Sequence, residues 1–141
     1  MFECMIKGVE IIELPKIIDP RGNLSFFENS NQIPFVIKRS YWIYDVPGGE
    51  TRGSHAFKES HEFIIALSGS FDVVLNDGEK EGKYSLNRSY YGLYVPNLLW
   101  RRLENFSTNS LALIVSSIPY DEADYVRDFT EFKNIKNSDD K

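Results

Sequence analysis

The strongest local evidence for the fold of this 141-residue chain is HEFIIALSGSFDVVLNDGE, residues 61–79. It contains two runs of apolar and β-branched residues, which favour strands, joined at Ser68-Gly69-Ser70. Asn76-Asp77-Gly78 follows the second run and is the turn signal of a hairpin. Two short strands closed by a tight turn indicate an antiparallel arrangement. We therefore expect an all-β protein.

Short strands separated by turn residues continue on both sides of this stretch. Further strands are predicted in VEIIELPKI (broken near Pro15), LSFFEN, FVIKRSYWIYDV, KYSLN, SYYGLYV, LWRRLEN and LALIVSS. The helical candidate is YDEADYVRDFTEF, residues 120–132, with Asp121 as its N-cap. Residues from about 134 to 141 are polar and are expected to fray. The pattern predicts a β-sandwich or small barrel that forms one domain over residues 1–141.

Alternation within two strands predicts which side chains share a face. In FVIKRSYWIYDV, Tyr41 and Ile43 share one face, and Trp42 and Tyr44 share the other. In HEFIIAL both faces are apolar, and we expect Glu62 on the interior face. His61, Phe63, Ile65 and Leu67 then share the outer face. The outer face is expected to be covered by a partner or a second sheet.

Composition excludes several classes of protein. The net charge of −5 argues against a general nucleic-acid binder, which needs a basic surface. The single cysteine, Cys4, allows no disulfide within the chain and suits a reducing compartment. The first residues lack the charged and apolar regions typical of a signal peptide, and no apolar run reaches the roughly 20 residues of a membrane helix. We expect a soluble, cytoplasmic protein that contacts neither membrane nor nucleic acid.

The segment GGETRGSHAFKESHEF, residues 48–63, carries both histidines of the chain, His55 and His61. A metal site in a β-barrel needs more imidazole and carboxylate ligands than His55 and Glu62 supply. A second hypothesis makes His55 a base that works beside the fixed positive charge of Arg52, with Gly53 permitting close backbone approach. A third possibility is a solvated strand edge. The residues alone leave the second and third alternatives open.

Two segments resemble the two motifs of the cupins. GETRGSHAFKESHEFIIALSG, residues 49–69, resembles the first motif, with Phe57 where the motif has its second histidine. GLYVPNLLWRRLEN, residues 92–105, resembles the second motif, with Arg101 where the motif has a histidine. The resemblance implies a cupin fold, a double-stranded β-helix or jelly-roll barrel, with a short C-terminal helix. The two replacements imply that no metal is bound.

A closer resemblance is to the thymidine-diphosphate-4-keto-6-deoxyglucose 3,4-ketoisomerases. It runs through DPRGNL, IPFVIKRSYWIYDV, RGSHAFK, GSFDVVLNDG, GLYVPNLLW, NFSTNSLALIVSS and YDEADYVRDFTEF. It implies conversion of a dTDP-4-keto-6-deoxyhexose to the dTDP-3-keto sugar, without a cofactor, for deoxyamino-sugar biosynthesis of the kind found in lipopolysaccharide and S-layers. The 3,5-epimerases are also similar through DPRGNLSFFE and RGSH, but the C-terminal half favours the ketoisomerases.

The resemblance assigns roles to particular residues. It implies His55 as the base, with Tyr41 or Glu62 as further catalytic groups. Tyr44, Tyr94 or a water are also open as the second acid. The residues expected to bind substrate are Arg52, Arg21, Arg39, Lys58, Tyr44, Trp100 and Arg101, with Lys38 as a further candidate. Arginine suits a diphosphate because its guanidinium binds phosphate oxygens in pairs. Tyr41 or Trp100 is expected to stack on thymine.

One departure from the ketoisomerase pattern bears on function. The relatives usually carry His-Ala-His-Lys, whereas this chain has His55-Ala56-Phe57-Lys58. The missing histidine leaves a second hypothesis, a non-catalytic cupin that binds a nucleotide sugar.

The resemblance also implies a homodimer, in which Arg21 reaches the site of the partner subunit. The two apolar faces of HEFIIAL and the open edge of the strand array support that expectation.

Overall fold

The computed structural model describes residues 6–139. Cys4, the first residues and the last two residues of the expected frayed tail lie outside the described residues. The strands are β1 Glu10–Glu13, β2 Lys16–Ile17, β3 Leu24–Ser25, β4 Arg39–Tyr44, β5 Arg52–Phe57, β6 Glu62–Ser68, β7 Phe71–Asn76, β8 Glu81–Leu86, β9 Tyr91–Val95, β10 Trp100–Glu104, β11 Leu111–Ser116 and β12 Tyr125–Val126. A 3₁₀ helix spans Glu122–Asp124, and helix α1 spans Phe129–Asp139.

Two five-stranded antiparallel sheets form the body of the protein. The first sheet has the order β1-β9-β6-β11-β4, and the second has the order β12-β5-β10-β7-β8. Strands β2 and β3 form a separate small hairpin. The order is not the chain order, because the connections cross between the sheets as in a jelly roll. This arrangement confirms the predicted cupin-like all-β fold with a short C-terminal helix.

The main core lies between the two sheets. Side chains from β6, β9 and β11 of the first sheet meet side chains from β7, β8 and β10 of the second, and the contacts include Ile64, Leu93, Ile114, Val73 and Leu103. Each of these residues alternates with an outward-facing neighbour on its strand, as the period of a strand requires. The predicted alternation in β4 is confirmed, since Tyr41 and Ile43 pack against this core while Trp42 and Tyr44 are exposed.

The outer face of the first sheet is covered by the chain itself. Phe63, Ile65 and Val115 pack against Ile33, with Phe27, Phe35 and Ile37 around them. The expectation that a partner or a second sheet covers this face is therefore wrong. The segment between β3 and β4 folds back over the sheet and removes this apolar surface from water. The apolarity of this face is thus no argument for a dimer.

The C-terminal segment differs from its predicted structure. Asp121 is an N-cap, but it caps the short 3₁₀ helix, accepting a hydrogen bond from the Ala123 amide at 3.0 Å. The chain then becomes extended as β12, which pairs with β5, before α1 begins at Phe129. Residues 134–139 continue α1 instead of fraying. Phe132 anchors α1 on Ala56 and Val126, and it stabilises a helix later than the local pattern indicated.

No helix within residues 6–139 has the length and apolarity that crossing a bilayer requires.

Candidate active site

A cavity of about 460 Å³ opens between β4 of the first sheet and β5 and β10 of the second. Four arginines line it: Arg39, Arg52, Arg101 and Arg127. No carboxylate is among the described lining residues, although Glu62 and Glu122 pair with Arg101 and Arg127 from outside the lining. The cavity therefore attracts an anionic ligand, because its walls concentrate positive potential in a protein of negative net charge.

A β-bulge at Gly53 places Arg52 and His55 on one face of β5. Arg101 is paired with His55, and Leu103 is paired with Arg52, so three steps along β5 match two along β10. Gly53 takes a left-handed φ of 69°, which glycine adopts without the strain that other residues incur. Cross-strand partners share a face of a sheet. Strict alternation would place Arg52 and His55 on opposite faces of β5, but because of the bulge both line the cavity.

His55 is the histidine of the cavity, and its side chain is 7% exposed. A solvated strand edge is therefore wrong for this residue. Burial lowers its pKa to about 2, and the positive charges of Arg101, Arg127 and Arg39 act in the same direction. The imidazole is thus neutral near pH 7. Its Nε2 atom is buried and has no hydrogen-bond partner among the described residues, so it can accept a proton.

Phe57 fills the place of the second histidine. Its ring packs edge-on against His55, with centroids 4.8 Å apart. Tyr125 of β12 is the cross-strand partner of Phe57, and its ring lies 4.7 Å from Phe57 and 5.0 Å from His55. The three rings therefore pack together, and two of them, His55 and Tyr125, line the cavity. A phenol thus lies beside the position of the missing imidazole.

Glu62 is bound within the barrel by Arg101, and each side chain is 1% exposed. Arg101 Nε lies 2.8 Å from Glu62 Oε1 in a salt bridge that lacks the alignment of a hydrogen bond. Arg101 Nη2 donates to the Tyr41 hydroxyl at 2.8 Å, and that hydroxyl donates in a short hydrogen bond to Glu62. Ser116 Oγ also donates to Glu62, at 3.3 Å. The prediction that Glu62 faces the interior is confirmed.

This network fixes Arg101 and leaves one of its donors free. Burial opposes the charge of Arg101, but Glu62 raises its pKa, so the guanidinium stays charged. Burial raises the pKa of Tyr41 well above its usual value, so this phenol keeps its proton. Arg101 Nη1 is buried without a hydrogen-bond partner among the described residues. It lies 3.0 Å from where a Cβ on Gly53 would stand, in the part of the cavity next to His55.

Arg39 and Arg127 are held by aromatic rings near the cavity mouth. The Arg39 guanidinium lies between the rings of Tyr41 and Tyr120, 4.3 and 4.9 Å from their centroids. Arg127 lies 4.3 Å from the centroid of Tyr125. Its Nε and Nη2 atoms donate to the two carboxylate oxygens of Glu122. Such stacking orients a guanidinium before a ligand arrives.

Several residues predicted for the site do not line this cavity. Trp100 faces outward and packs against Phe129 and Phe132 of α1, so the structure does not support its stacking on thymine. Lys58 is exposed and follows β5, where its backbone amide donates to the carbonyl of Asp124. Alternation along the strands turns Trp100 away from the interior, and β5 ends before Lys58.

The remaining predicted residues lie on three other surfaces. Arg21 is at the tip of the β2–β3 hairpin, 90% exposed, and is paired with Asp19. Tyr94 is on the outer face, where its hydroxyl lies 2.6 Å from His61 Nδ1. Tyr44 lines an adjoining groove of about 460 Å³ together with Trp42 and Arg52. The structure thus gathers His55, Tyr41, Arg39, Arg52 and Arg101 around the cavity, with Glu62 directly behind.

Sequence reasoning missed Tyr125 and Arg127. Both come from the segment interpreted as a helix, in which alternate residues do not share a face. If DYVRD had been predicted as a strand, Tyr125 and Arg127 would have been expected on the same face, because they are two residues apart. The local sequence does not indicate a strand there, since β12 pairs with residues of β5 about 70 positions away. Within residues 6–139, no group of three histidine, cysteine or acidic side chains is arranged to hold a metal.

Comparison with known proteins identifies the family. The model of the family FdtA, described as WxcM-like, C-terminal, matches residues 7–137. The chain belongs to this family. A TDP-4-oxo-6-deoxy-alpha-D-glucose-3,4-oxoisomerase from Aneurinibacillus thermoaerophilus is 40% identical over 124 residues, which cover 88% of this chain and 89% of the relative.

Solved structures of sugar 3,4-ketoisomerases share the fold. QdtA from Thermoanaerobacterium thermosaccharolyticum, in complex with TDP, has a TM-score of 0.93 and 34% identity, and the match covers 96% of this chain and 98% of QdtA. The TDP-quinovose 3,4-ketoisomerase WlaRB from Campylobacter jejuni has a TM-score of 0.87 and 42% identity, with 92% and 99% of the chains covered. These sugar 3,4-ketoisomerases are thus similar to the chain over nearly its whole length.

Proposed function

We propose that this FdtA-family protein is a metal-independent 3,4-ketoisomerase that converts a dTDP-4-keto-6-deoxyhexose to the dTDP-3-keto sugar. The observation that carries the proposal is the free Nε2 of His55, a neutral buried acceptor within a cavity lined by arginines. The identity to an oxoisomerase supports it, as does the similarity to QdtA, of which a variant binds TDP-4-keto-6-deoxyglucose.

The reaction begins with removal of the proton on C3 of the sugar. His55 Nε2 accepts this proton, and the electrons left on carbon form an enediolate that places negative charge on O4. Arg101 Nη1 is free, buried and charged, so it stabilises that oxygen without reorganising. Once the hydroxyl proton on O3 has moved to O4, His55 returns its proton to C4, which leaves the ketone on C3. The Glu62 carboxylate and the Tyr41 hydroxyl hold Arg101 in position.

Substrate binding itself tunes the base. In the free protein the charges of Arg101, Arg127 and Arg39 help to lower the pKa of His55. A bound diphosphate compensates part of this positive potential, so the pKa of His55 rises when the substrate arrives. A base whose pKa moves towards the working pH is more effective. We therefore assign the diphosphate to Arg52, Arg39 and Arg127, at the cavity mouth.

We place the thymine base in the groove that adjoins the cavity. Trp42 is 58% exposed there, Tyr44 lies on the same face, and Arg52 lines both groove and cavity. Exposed aromatic rings beside a phosphate-binding arginine are suited to stacking on a nucleotide base. This placement replaces the predicted contact with Trp100.

We infer that the site works without a metal. His55 is the one imidazole at the cavity within residues 6–139, and Glu62, which could serve as a second ligand, is bound by Arg101. A cation entering there would be repelled by the guanidinium. Activity that survives exhaustive treatment with a chelator would support this assignment, whereas activity lost with a stoichiometric metal and restored by it would contradict it.

We also propose a homodimer in which Arg21 serves the partner's site. Within residues 6–139 of one chain, Arg21 lies outside the cavity, on a hairpin whose Ile17, Ile18 and Leu24 are exposed. Strand β4, at the edge of the first sheet, presents Trp42 and Tyr44 beside the cavity mouth. An apolar hairpin and an open apolar edge are complementary surfaces for two copies of the chain.

Mixed dimers test this arrangement. We would combine an Arg21→Ala chain with a His55→Asn chain, carrying different tags, and purify the mixed dimer. If Arg21 acts across the interface, one of the two sites contains both native residues and activity returns. If Arg21 acts within its own chain, or if only monomers sediment at micromolar concentration, the mixed sample stays as weak as its parents.

Proton NMR of dTDP-4-keto-6-deoxyglucose in heavy water tests the reaction itself. The expected result is a 3-keto product with deuterium uptake, and the spectrum also reports the configuration at C4. A non-catalytic nucleotide-sugar-binding protein is the alternative, and Phe57 in place of histidine favours it. Binding without exchange or turnover would support that alternative, and exchange at C3 and C5 would instead indicate a 3,5-epimerase.

We also keep as predictions a role in making lipopolysaccharide or S-layer sugars and a cytoplasmic location.

A further inference from the structure

Tyr125 presents a hydroxyl to the cavity next to His55. Its ring lies opposite Phe57 across the β5–β12 pair and 5.0 Å from the imidazole of His55. The hydroxyl accepts a hydrogen bond from Arg39 Nη1 at 3.0 Å. Among the described residues no group accepts the proton of this hydroxyl in return. Tyr125 therefore has a proton to give and a guanidinium that stabilises the phenolate left behind.

The ketoisomerisation requires two proton movements, and His55 accounts for only one of them. The proton on C3 moves to C4, and the proton on the C3 hydroxyl moves to O4. Removal of the C3 proton by His55 leaves O4 charged and O3 still protonated. Unless the proton on O3 reaches O4, the ketone cannot move, because the enediolate returns to the 4-keto sugar.

We propose that Tyr125 is the catalytic residue that carries the oxygen-bound proton from O3 to O4. This inference rests on the proposed function. The phenol gives its proton to O4, forming the enediol, and the O–H bond of Tyr125 breaks. The phenolate, held by Arg39, then takes the proton from O3 while the electrons of the double bond accept the proton from His55 at C4. Tyr125 and His55 both end in their starting states, so no other reactant is needed.

Other tyrosines near the site are less suited to this step. The Tyr41 hydroxyl already donates to Glu62 and accepts from Arg101. Tyr44 is on the outward face of β4, and Tyr94 is engaged with His61 on the outer face of the sheet. Tyr125 lines the cavity and has its proton free. Tyr125, which lies opposite Phe57, thus supplies a proton-transfer group where a phenylalanine stands in place of histidine.

The test compares Tyr125→Phe with His55→Asn, and Tyr91→Phe is the matched control. Tyr91 is a partly buried tyrosine whose hydroxyl bonds to Asn87, away from the cavity. Two rates are measured on dTDP-4-keto-6-deoxyglucose in heavy water: exchange of the C3 proton, and formation of the 3-keto product. Tyr125→Phe keeps the ring that packs on His55 and Phe57, and thermal unfolding confirms that it folds.

For Tyr125→Phe we expect product formation to fall on the order of 10²-fold or more. Exchange at C3 should stay within a few fold of wild type. His55→Asn should lose both rates, and Tyr91→Phe should lose neither. Product formation near the wild-type rate in Tyr125→Phe overturns the proposal, and so does an equal loss of exchange and turnover. A wild-type protein that neither exchanges nor isomerises refutes the proposed function itself, and the relay with it.

Discussion

Arg101 and Glu62 form a salt bridge inside the barrel, with 2.8 Å between Nε and Oε1 and both side chains almost fully buried. The pair lies directly behind His55, whose cross-strand partner is Arg101. One side of the guanidinium is thus bound to protein, and its Nη1 donor remains free towards the cavity. The same salt bridge therefore stabilises the core and fixes the position of the Arg101 charge that faces the cavity.

Glu62→Gln should destabilise the fold strongly. Removing one member of a buried ion pair leaves the other charge without compensation, which typically costs about 3–5 kcal/mol. Urea unfolding of the two proteins measures this difference. Glu81→Gln is the control, because it makes the same chemical change at an exposed partner of Arg102 and should cost less than about 1 kcal/mol. Similar losses in the two variants would contradict the assigned importance of burial.

His55→Asn should abolish chemistry while leaving nucleotide binding intact. Asparagine keeps polarity but cannot accept a proton near pH 7, and loss of a general base costs roughly 10²–10⁴-fold in rate. TDP affinity, measured by calorimetry, should change little because Arg52, Arg39 and Arg127 carry the diphosphate. Arg52→Ala should instead weaken TDP binding first. A His55→Asn protein that exchanges the C3 proton at the wild-type rate would exclude this residue as the base.

Stability should depend on pH through His55. Its pKa is about 2 in the folded protein and about 6.5 when unfolded, so both states are neutral above pH 6.5. Below that pH the unfolded chain binds a proton that the folded protein does not, and the free energy of unfolding falls. Between pH 7 and pH 5 the wild type should lose roughly 2 kcal/mol more than His55→Asn. Equal losses in urea unfolding would show that His55 does not titrate as expected.

Gly53→Ala should displace the catalytic groups as well as strain the backbone. A left-handed φ costs a residue with a Cβ about 1–2 kcal/mol, and this Cβ would lie 3.0 Å from Arg101 Nη1 and 3.5 Å from His55 Cε1. We expect lower turnover and lower stability. Gly78→Ala is the control, since it has φ 99° but contacts only Lys136. Its stability should fall and its turnover should not. Equal turnover in both variants would contradict the role of the bulge.

TDP binding should alter the fluorescence of Trp42 and leave that of Trp100 unchanged. Trp42 is exposed in the groove assigned to thymine, whereas Trp100 is packed under α1. Titrations of Trp42→Phe and Trp100→Phe separate the two signals. The Trp100→Phe protein should keep the change in emission, and the Trp42→Phe protein should lose it and bind TDP more weakly. A signal that disappears with Trp100 would place the base elsewhere.

Local alternation predicted much of the fold and part of the site. Alternation correctly grouped Tyr41 with Ile43 on one face of β4, because side chains on a strand take opposite faces in turn. The expectation that Glu62 lies on the interior face of β6 was also correct. The C-terminal helix begins at Phe129, later than the predicted start at residue 120. Residues 120–128 have helical signals, but pairing of Tyr125 and Val126 with β5 stabilises an extended chain instead. Local propensity is weaker than a long-range pairing that also buries Val126.

Local patterns in the sequence were enough to predict the short strands, to favour an interior Glu62 and to identify His55 beside Arg52 as a candidate base. They could not show that Arg52 and His55 share a face, because the bulge at Gly53 depends on pairing with a strand about 50 residues away. Local patterns also could not show that Tyr125 and Arg127 line the cavity, or that Trp100 packs against α1 outside it. The surroundings of a side chain on a strand depend on its cross-strand neighbours, and a local sequence pattern does not specify which residues those neighbours are.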